Sequence, residues 1–202
     1  MRFTRAQLYL GLFTLAYIAG FSVYFLSADN FEFIGYIGVL VFFFVLIAAT
    51  LRRSGLPLSV LCGLSLWGLL HMAGGGIPIG DGVLYGLQII PLYSDGGDFT
   101  LIKYDQLVHA FGFGVATLAA YHLLKPSIRE AANWGLVYAV LVATGMGLGV
   151  LNELVEFTAV LLVPETGVGG YHNTLLDLVF NTVGACLAVV YIHAKEKRRA
   201  LL

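Results

Sequence analysis

The chain has 202 residues, of which 59% are apolar and 11% charged, and its net charge is −1. Soluble domains are about 45–50% apolar and about 25% charged, so this composition is typical of a membrane protein and excludes an ordinary soluble domain. The near-neutral charge gives no indication of a nucleic-acid partner. The lipid bilayer is the partner that the composition predicts.

Six apolar segments follow one another along the chain, each about 20 residues long, the length that crosses a bilayer as a helix. The predicted spans are Leu8–Leu26, Phe33–Leu51, Leu56–Ala73, Tyr104–Leu124, Trp134–Val163 and Thr174–Ala194. The apolar run of the first span is longer than that of a cleaved signal peptide, so we expect it to be retained. We predict an all-α, polytopic membrane protein with a single membrane domain over residues 1–202.

The charges between the spans alternate in sign. Basic residues flank every second connection, namely Arg2, Arg5, Arg52, Arg53, Lys125, Arg129 and the run Lys195–Arg199. The other connections carry Asp29, Glu32, Asp81, Asp95, Asp98 and Glu165, with Lys103 as the one basic residue among them. Because positive residues stay on the cytoplasmic side, we predict a multi-pass protein of the plasma (inner) membrane with both termini in the cytoplasm.

The chain divides into the first three spans (1–73), a long outer loop (74–103) and a core of three spans (104–194). The loop opens with "GGG" at Gly74–Gly76 and carries two apolar pieces split by "SDGGD" at Ser94–Asp98. Asp-Gly sequences permit a hairpin, and the Gly and Pro content opposes a spanning helix. We expect an interfacial hairpin or helix that covers the outer face, or else a linker on the membrane surface.

Polar residues in the last three spans recur at helical spacing. Asp105 and His109 are one turn apart and therefore share a helix face. The three stripes are Asp105, His109, Gly112, Ala116, Ala119; then Gly145, Gly149, Glu153, Glu156, with Asn152 beside them; then Asp177, Asn181, Gly184, Ala188. Given the direction of each span, every stripe places its polar residues toward the outer leaflet and its small residues toward the cytoplasm.

Small residues let helices approach closely, so the stripes are expected to pack together. Charged residues in a bilayer cost about 2.5–3.5 kcal/mol each and should face inward and pair. The sequence therefore predicts an outward-facing pocket formed by Asp105, His109, Glu153, Glu156, Asp177 and Asn181. Four carboxylates with one imidazole cannot all be ionised without a cation, bound protons or water. His109, Glu153 and Asp177 are residue types that could hold a divalent metal ion.

Local roles at helix ends compete with this interpretation. Asp105 and Asp177 lie near helix starts, where Asp favours the positive end of the helix dipole. Glu153 and Glu156 lie late in their helix, where the dipole disfavours them. We expect His71 to hydrogen-bond to backbone. His172 and Asn173 could form a rim of the pocket, or Asn173 or Thr174 could equally cap the last helix.

Three segments resemble the VanZ-like membrane proteins and the YjdF-type inner-membrane proteins. They are "YDQLVHAFGFG", "GLGVLNELVEF" and "TLLDLVFNTVGACLA", within about Tyr104 to Val190. VanZ-like proteins usually carry Gln at the position of Glu156 and a basic residue before the Asp segment, where this chain has "GVGGYHNT", so the likeness favours the YjdF type. The resemblance implies a shared site in the core and no particular reaction.

Three functions are consistent with such a pocket. An enzyme could act on a lipid-linked or envelope substrate, with a carboxylate as general base beside His109 or with a metal ion that activates water. A structural or accessory protein could use the acids only to fix helix register. A cation or small-solute transporter is the third, although the sequence has no internal repeat of the kind transporters use. Substrate, reaction and oligomeric state are left open.

Overall fold

The computed structural model describes residues 3–94, 99–129, 131–164 and 166–200, the side chains of residues 199 and 200 excepted. Its helices are α1 (Arg5–Ser27), α2 (Phe31–Ser54), α3 (Leu58–Gly76), α4 (Tyr104–Leu124), α5 (Trp134–Leu162) and α6 (Tyr171–Ala200). All six are long and apolar enough to span a bilayer. The predicted all-α, six-helix membrane fold is confirmed. Arg2, Asp95, Asp98 and Glu165, and the side chain of Arg199, lie outside the described residues.

Polar side chains determine where several helices begin. Thr4 and Gln7 form a reciprocal capping box at the start of α1, and Asn30 and Asn133 accept hydrogen bonds from the first turns of α2 and α5. Such caps satisfy amide groups that have no partner within the helix. At the other end of α2, Gly55 adopts a left-handed conformation that glycine accommodates without strain.

The bundle has two ends, which we name by what they carry. We call the end that carries residues 77–103 the loop end, and the opposite end, where α1 begins and α6 finishes, the terminus end.

Many large apolar side chains, such as Leu12 and Leu162, are exposed on the outside of the bundle, as expected for a lipid-facing surface. An aromatic cluster built on Phe25, Phe33 and Met72 fills the loop end between α1, α2 and α3.

Three consecutive glycines continue α3 instead of opening the loop. Gly74, Gly75 and Gly76 are buried in the last turn of α3, so the predicted loop start at residue 74 is wrong. A Cβ on any of them would overlap an aromatic ring, that of Tyr85, Phe33 or Phe21 respectively. Glycine fits these positions because rings from three other segments pack directly against this helix end. The packing compensates for the low helix propensity of glycine.

The loop is a folded cap with little regular structure. Strands β1 (Pro78–Ile79) and β2 (Gly82–Val83) form a short antiparallel pair, and a 3₁₀ turn follows at Leu84–Gly86. Farther on, isolated antiparallel bridges join Gln88 to Lys103 and Ser94 to Thr100, which gives a loose hairpin arm. The "SDGGD" turn expected at its tip lies mostly outside the described residues.

The three core helices meet through glycines. A Cβ on Gly184 of α6 would overlap the carbonyl oxygen of Ala110 in α4, and one on Gly114 would come within 3.2 Å of the carbonyl oxygen of Gly184. In α5, a Cβ on Gly149 would lie 2.7 Å from the side-chain nitrogen Nδ2 of Asn181, and Gly145 packs against Ala185. Backbones can approach this closely only where no side chain separates them.

Gly112 has a different neighbour from the one its stripe predicts. A Cβ on Gly112 would overlap the Trp67 ring of α3. The reason is that α4 lies between α3 and α6 and needs glycines on two faces, Gly112 toward α3 and Gly114 toward α6. A single helical stripe could not represent both contacts.

We predict that Gly184→Ala destabilises the protein, because the added methyl group overlaps the α4 backbone and forces α4 and α6 apart. Overpacking of this kind costs about 1–3 kcal/mol. The matched control is Gly147→Ala in α5, where a Cβ meets nothing within 4 Å. The free energy of unfolding, measured by circular dichroism during SDS titration from detergent micelles, should fall for Gly184→Ala and hold or rise for Gly147→Ala. Equal stability of the two variants would show that the helices are not in tight contact.

Candidate functional site

His109 is the centre of a buried polar cluster at the loop end of the three core helices. Its Nδ1 atom hydrogen-bonds with Oδ1 of Asn181 at 3.0 Å. Its Nε2 atom lies 3.5 Å from Oδ1 of Asp105 and 3.9 Å from Oε1 of Glu156, and Nδ1 lies 3.8 Å from Oε1 of Glu153. One imidazole ring thus contacts polar groups from α4, α5 and α6.

Asp177 joins the same cluster and links it to the loop. Its Oδ2 atom accepts a 2.7 Å hydrogen bond from Nδ2 of Asn173, whose own oxygen accepts from the Lys103 ammonium group. Asn173 lies inside α6, so the capping role expected for it is wrong. Lys103 is the one basic residue among the acidic outer connections. Its positive charge lies near the buried Asp177 and so reduces the free-energy cost of burying that carboxylate.

The cluster contains two sets of metal-ligand types. Asp105, His109 and Asp177 each offer a ligand atom within 4.8 Å of one another, and so do His109, Glu153 and Glu156. The set predicted from sequence, His109, Glu153 and Asp177, takes members from both sets. The structure therefore groups all the predicted acids around His109, but it places Glu153 and Asp177 in separate sets of possible metal ligands.

Several buried polar atoms of the cluster have no hydrogen-bond partner among the described residues. They are both carboxylate oxygens of Glu153, Oδ1 of Asp177 and Nδ2 of Asn181. Asp177 and Asn181 are 1% and 0% exposed, so bulk water does not reach them. An unsatisfied buried polar group costs about 1–3 kcal/mol. Such groups call for an explanation, of which a bound ion, water or substrate is the simplest.

A polar chamber of about 610 Å³ lies between this cluster and the loop. Three acids contribute to its wall, Glu32 from α2, Asp105 from α4 and Glu156 from α5. Glu32 is itself buried and accepts a 2.7 Å hydrogen bond from the backbone amide of Gly167, which ties α2 to the segment before α6. The volume is in the range of small-molecule sites, about 300–1,000 Å³.

A histidine–tyrosine pair forms another wall of the chamber. His71 hydrogen-bonds through Nδ1 to the hydroxyl group of Tyr85 in the loop, so the backbone partner expected for His71 is wrong. Burial, helped by the nearby charge of Asp105, raises the pKa of the Tyr85 phenol well above its ordinary value. The phenol therefore stays neutral and keeps its proton for hydrogen bonding.

The loop is anchored to the start of α4 by Gln106, which is fully buried. Its side-chain oxygen accepts hydrogen bonds from the amides of Ile102 and Lys103 at 2.6 and 3.2 Å, and its nitrogen donates to the carbonyl of Thr100 at 2.7 Å. Gln106, not Asp105, thus satisfies the backbone at this helix start. Ile102 has a positive φ of 60°, a conformation that β-branched residues avoid and that the Gln106 contacts hold in place.

Sequence patterns did not predict five residues that build this site: Glu32, Tyr36, Tyr85, Lys103 and Gln106, of which Tyr36 also lines the chamber. The position of Gln106 is a partial signal, because a glutamine three residues after the N-cap residue is one half of a capping box. The other residues of the chamber wall, Glu32, Tyr36 and Tyr85, lie outside the three core helices, and no local pattern connects them with the core. The residues that were predicted, from Asp105 to Asn181, all lie around His109.

Comparison with known proteins gives a family without a described activity. The sequence model of a family described as "Predicted membrane protein (DUF2238)" matches residues 9–198. An uncharacterized protein of Thermotoga maritima is 31% identical over 100 residues, which are 48% of this chain and 50% of that protein. The match thus spans about half the length of this relative. No solved structure matches the chain.

Proposed function

We propose that this chain, which belongs to the DUF2238 family of predicted membrane proteins, is a membrane-embedded enzyme that acts on the polar head of a lipid-linked or envelope substrate. The observation that carries the proposal is the buried His109 cluster, in which oxygens of the Glu153 and Asp177 carboxylates have no hydrogen-bond partner among the described residues. The polar chamber next to it has the volume to admit a head group.

The cluster has the parts that acid–base catalysis needs. A water molecule between Glu153 and His109 would lose a proton to the carboxylate as its oxygen bonds to the electrophilic atom of the substrate head. The bond from that atom to the leaving group would break, and the leaving group would take the proton from the carboxyl group of Glu153. His109 is held by its hydrogen bond to Asn181, so its ring orientation is fixed. Positioned proton transfer of this kind contributes about 10²–10⁴-fold to a rate.

A divalent cation is the second component of the proposal. Either carboxylate set around His109 has the mixture of imidazole and carboxylate ligands that such ions accept. A bound cation would offset the excess of acids over bases and would lower the pKa of a bound water. It would also contact an oxygen of Asp177 in one set or of Glu153 in the other, the two acids that have oxygens without a hydrogen-bond partner among the described residues.

Two observations disfavour the other functions. A purely structural role would be better served by acids whose oxygens are hydrogen-bonded within the protein, because buried groups without such bonds lower stability, and those of Glu153 have none among the described residues. A transport path would have to continue from the cluster toward the terminus end. There Thr117, Gly145 and Ala185 pack tightly, and the Thr117 hydroxyl already donates to the carbonyl of Phe113.

We also propose kinship with the VanZ-like and YjdF-type proteins. The segment that carries most of that likeness contains Asp177, Asn181 and Gly184. In this chain the first two belong to the His109 cluster, and a Cβ on the third would overlap the α4 backbone at Ala110. The likeness therefore falls on residues that build the candidate site.

For orientation, we propose an inner-membrane location with the loop end facing outward and both termini in the cytoplasm. The support is the basic terminus end, where Lys125 pairs with Glu196 at 2.7 Å and α2 finishes with Arg52 and Arg53. A membrane-impermeant maleimide, applied to intact cells carrying a Cys62→Ser, Cys186→Ser background, should label Asp81→Cys. It should label Lys195→Cys only after permeabilisation. The reverse pattern would mean the opposite topology.

The function is tested by lipid conversion. The purified protein is reconstituted into vesicles made from the polar lipids of its own host membrane, and lipid-linked species are followed by mass spectrometry with and without a chelator. Wild type should consume one such species, whereas His109→Ala and Glu153→Gln should slow its consumption by about 10²-fold or more. The matched control is His193→Ala, an exposed histidine beside Tyr138, which should keep wild-type turnover. Full turnover in the His109→Ala and Glu153→Gln variants, or none in wild type, would contradict the proposal.

A further inference from the structure

The two nitrogens of the His109 ring face different groups. Nδ1 hydrogen-bonds with Oδ1 of Asn181 at 3.0 Å and lies 3.8 Å from Oε1 of Glu153. Nε2 lies 3.5 Å from Oδ1 of Asp105 and 3.9 Å from Oε1 of Glu156. The ring therefore has an Nδ1 side, toward Asn181 and Glu153, and an Nε2 side, toward Asp105 and Glu156.

The hydrogen bond to Asn181 determines which nitrogen of His109 can bind a cation. An amide oxygen only accepts hydrogen bonds, so Nδ1 carries the hydrogen in this contact. In the neutral ring the lone pair is then on Nε2, on the side where the Asp105 carboxylate lies. A lone pair and a carboxylate oxygen that face each other repel unless a proton or a metal ion lies between them.

The separation of 3.5 Å between Nε2 of His109 and Oδ1 of Asp105 fits a metal ion better than a shared proton. A charge-assisted N–H···O bond is about 2.7–2.9 Å long. Nitrogen and oxygen ligands lie about 2.0–2.2 Å from a zinc ion, so two of them at a tetrahedral angle are roughly 3.3–3.6 Å apart. The two atoms therefore have the spacing of two ligands of one tetrahedral ion.

Asp177 supplies a third ligand and independent evidence of an occupant. It is 1% exposed, and its Oδ1 atom has no hydrogen-bond partner among the described residues. It offers a ligand atom within 4.8 Å of those of Asp105 and His109. A metal-ligating side chain commonly has its other polar atom held by an outer partner. Asn181 holds the His109 ring in this way, and Asn173 holds Oδ2 of the carboxyl group at 2.7 Å.

The second set of ligand types, His109, Glu153 and Glu156, suits a cation less well. Glu153 approaches the Nδ1 side of the ring, where the nitrogen carries a hydrogen and has no lone pair to offer. Oε1 of Glu156, the oxygen that faces Nε2, already accepts a 2.7 Å hydrogen bond from Asn152. The contacts therefore favour the set of Asp105, His109 and Asp177.

We infer that a zinc-type divalent cation binds between α4 and α6, held by Asp105, Nε2 of His109 and Asp177. This choice between the two ligand sets deepens the proposed function and rests on it for the chemistry, but cation binding itself needs no turnover. Asp105 also lines the polar chamber, so the fourth coordination position would be open to an oxygen of the substrate head. Glu153 would stay off the metal and be free to accept a proton.

The test measures the affinity of the full chain for Zn²⁺ in detergent micelles, by competition with a chromophoric chelator. Wild type should bind about one Zn²⁺ per chain. Asp105→Asn and Asp177→Asn should each weaken binding about 100-fold or more, because loss of an outer partner alone costs about 10–100-fold. The matched controls are Glu153→Gln and Glu156→Gln, which remove the same charge from the same cluster and should keep an affinity close to that of wild type.

A second measurement shows that each variant is folded. Thermal unfolding is followed by circular dichroism with and without Zn²⁺. Each variant should unfold in one cooperative transition without the ion. Added Zn²⁺ should raise the midpoint for wild type and for the two glutamine variants, and leave it unchanged for the two asparagine variants, because only a bound ligand stabilises the folded state.

Three results would overturn the inference. They are a wild type that binds no Zn²⁺, equal loss of affinity in all four variants, and loss in the two glutamine variants alone. The two proposals can fail separately. Zinc binding with the expected pattern, in a wild type that converts no lipid, would sustain the cation site and refute the enzyme. Lipid conversion by a wild type that binds no Zn²⁺ would sustain the enzyme and refute the site.

Discussion

The close approach of α4, α5 and α6 is the constraint on which the rest of the structure depends. Gly184 lies against the backbone of Ala110, and Gly149 lies against Asn181, at separations where a side chain would collide. In a bilayer, helices gain little from hydrophobic association with one another, so this close packing has to hold the core together. It also brings the loop-end halves of the same helices to within hydrogen-bonding range of one imidazole ring.

The charge distribution follows from that geometry. Acids from three helices surround His109, and Lys103 reaches Asp177 through Asn173. The arrangement is only partly compensated, since Glu153 has no hydrogen-bond partner among the described residues. Such a group needs a bound water, ion or substrate to satisfy it, and a membrane interior raises the free-energy cost of leaving it unsatisfied. The polar chamber beside Glu156 is the space in which we propose that the head of a substrate binds.

Sequence patterns predicted what depends on local spacing. The length of the apolar segments predicted six helices, and helical periodicity predicted the acids and small residues that α4, α5 and α6 bring together. Both properties depend only on the sequence within a single segment. Contacts between distant segments could not be obtained this way. The burial of Gly74–Gly76 in α3 depends on rings from α1, α2 and the loop, and His71 depends on Tyr85. Gly112 faces Trp67 for the same reason: a helix with neighbours on two sides needs more than one stripe.

An experimental structure of the full chain in lipid nanodiscs is the most direct measurement of the central claim, that the acids of three helices share one buried site. We expect Nδ1 of His109 at about 3.0 Å from Asn181 and 3.8 Å from Glu153, with Asp105, Glu156 and Asp177 around the same ring. We also expect density for a cation or water in contact with Glu153 or Asp177. Carboxyl groups that point to separate faces of the bundle, or toward the lipid, would contradict it.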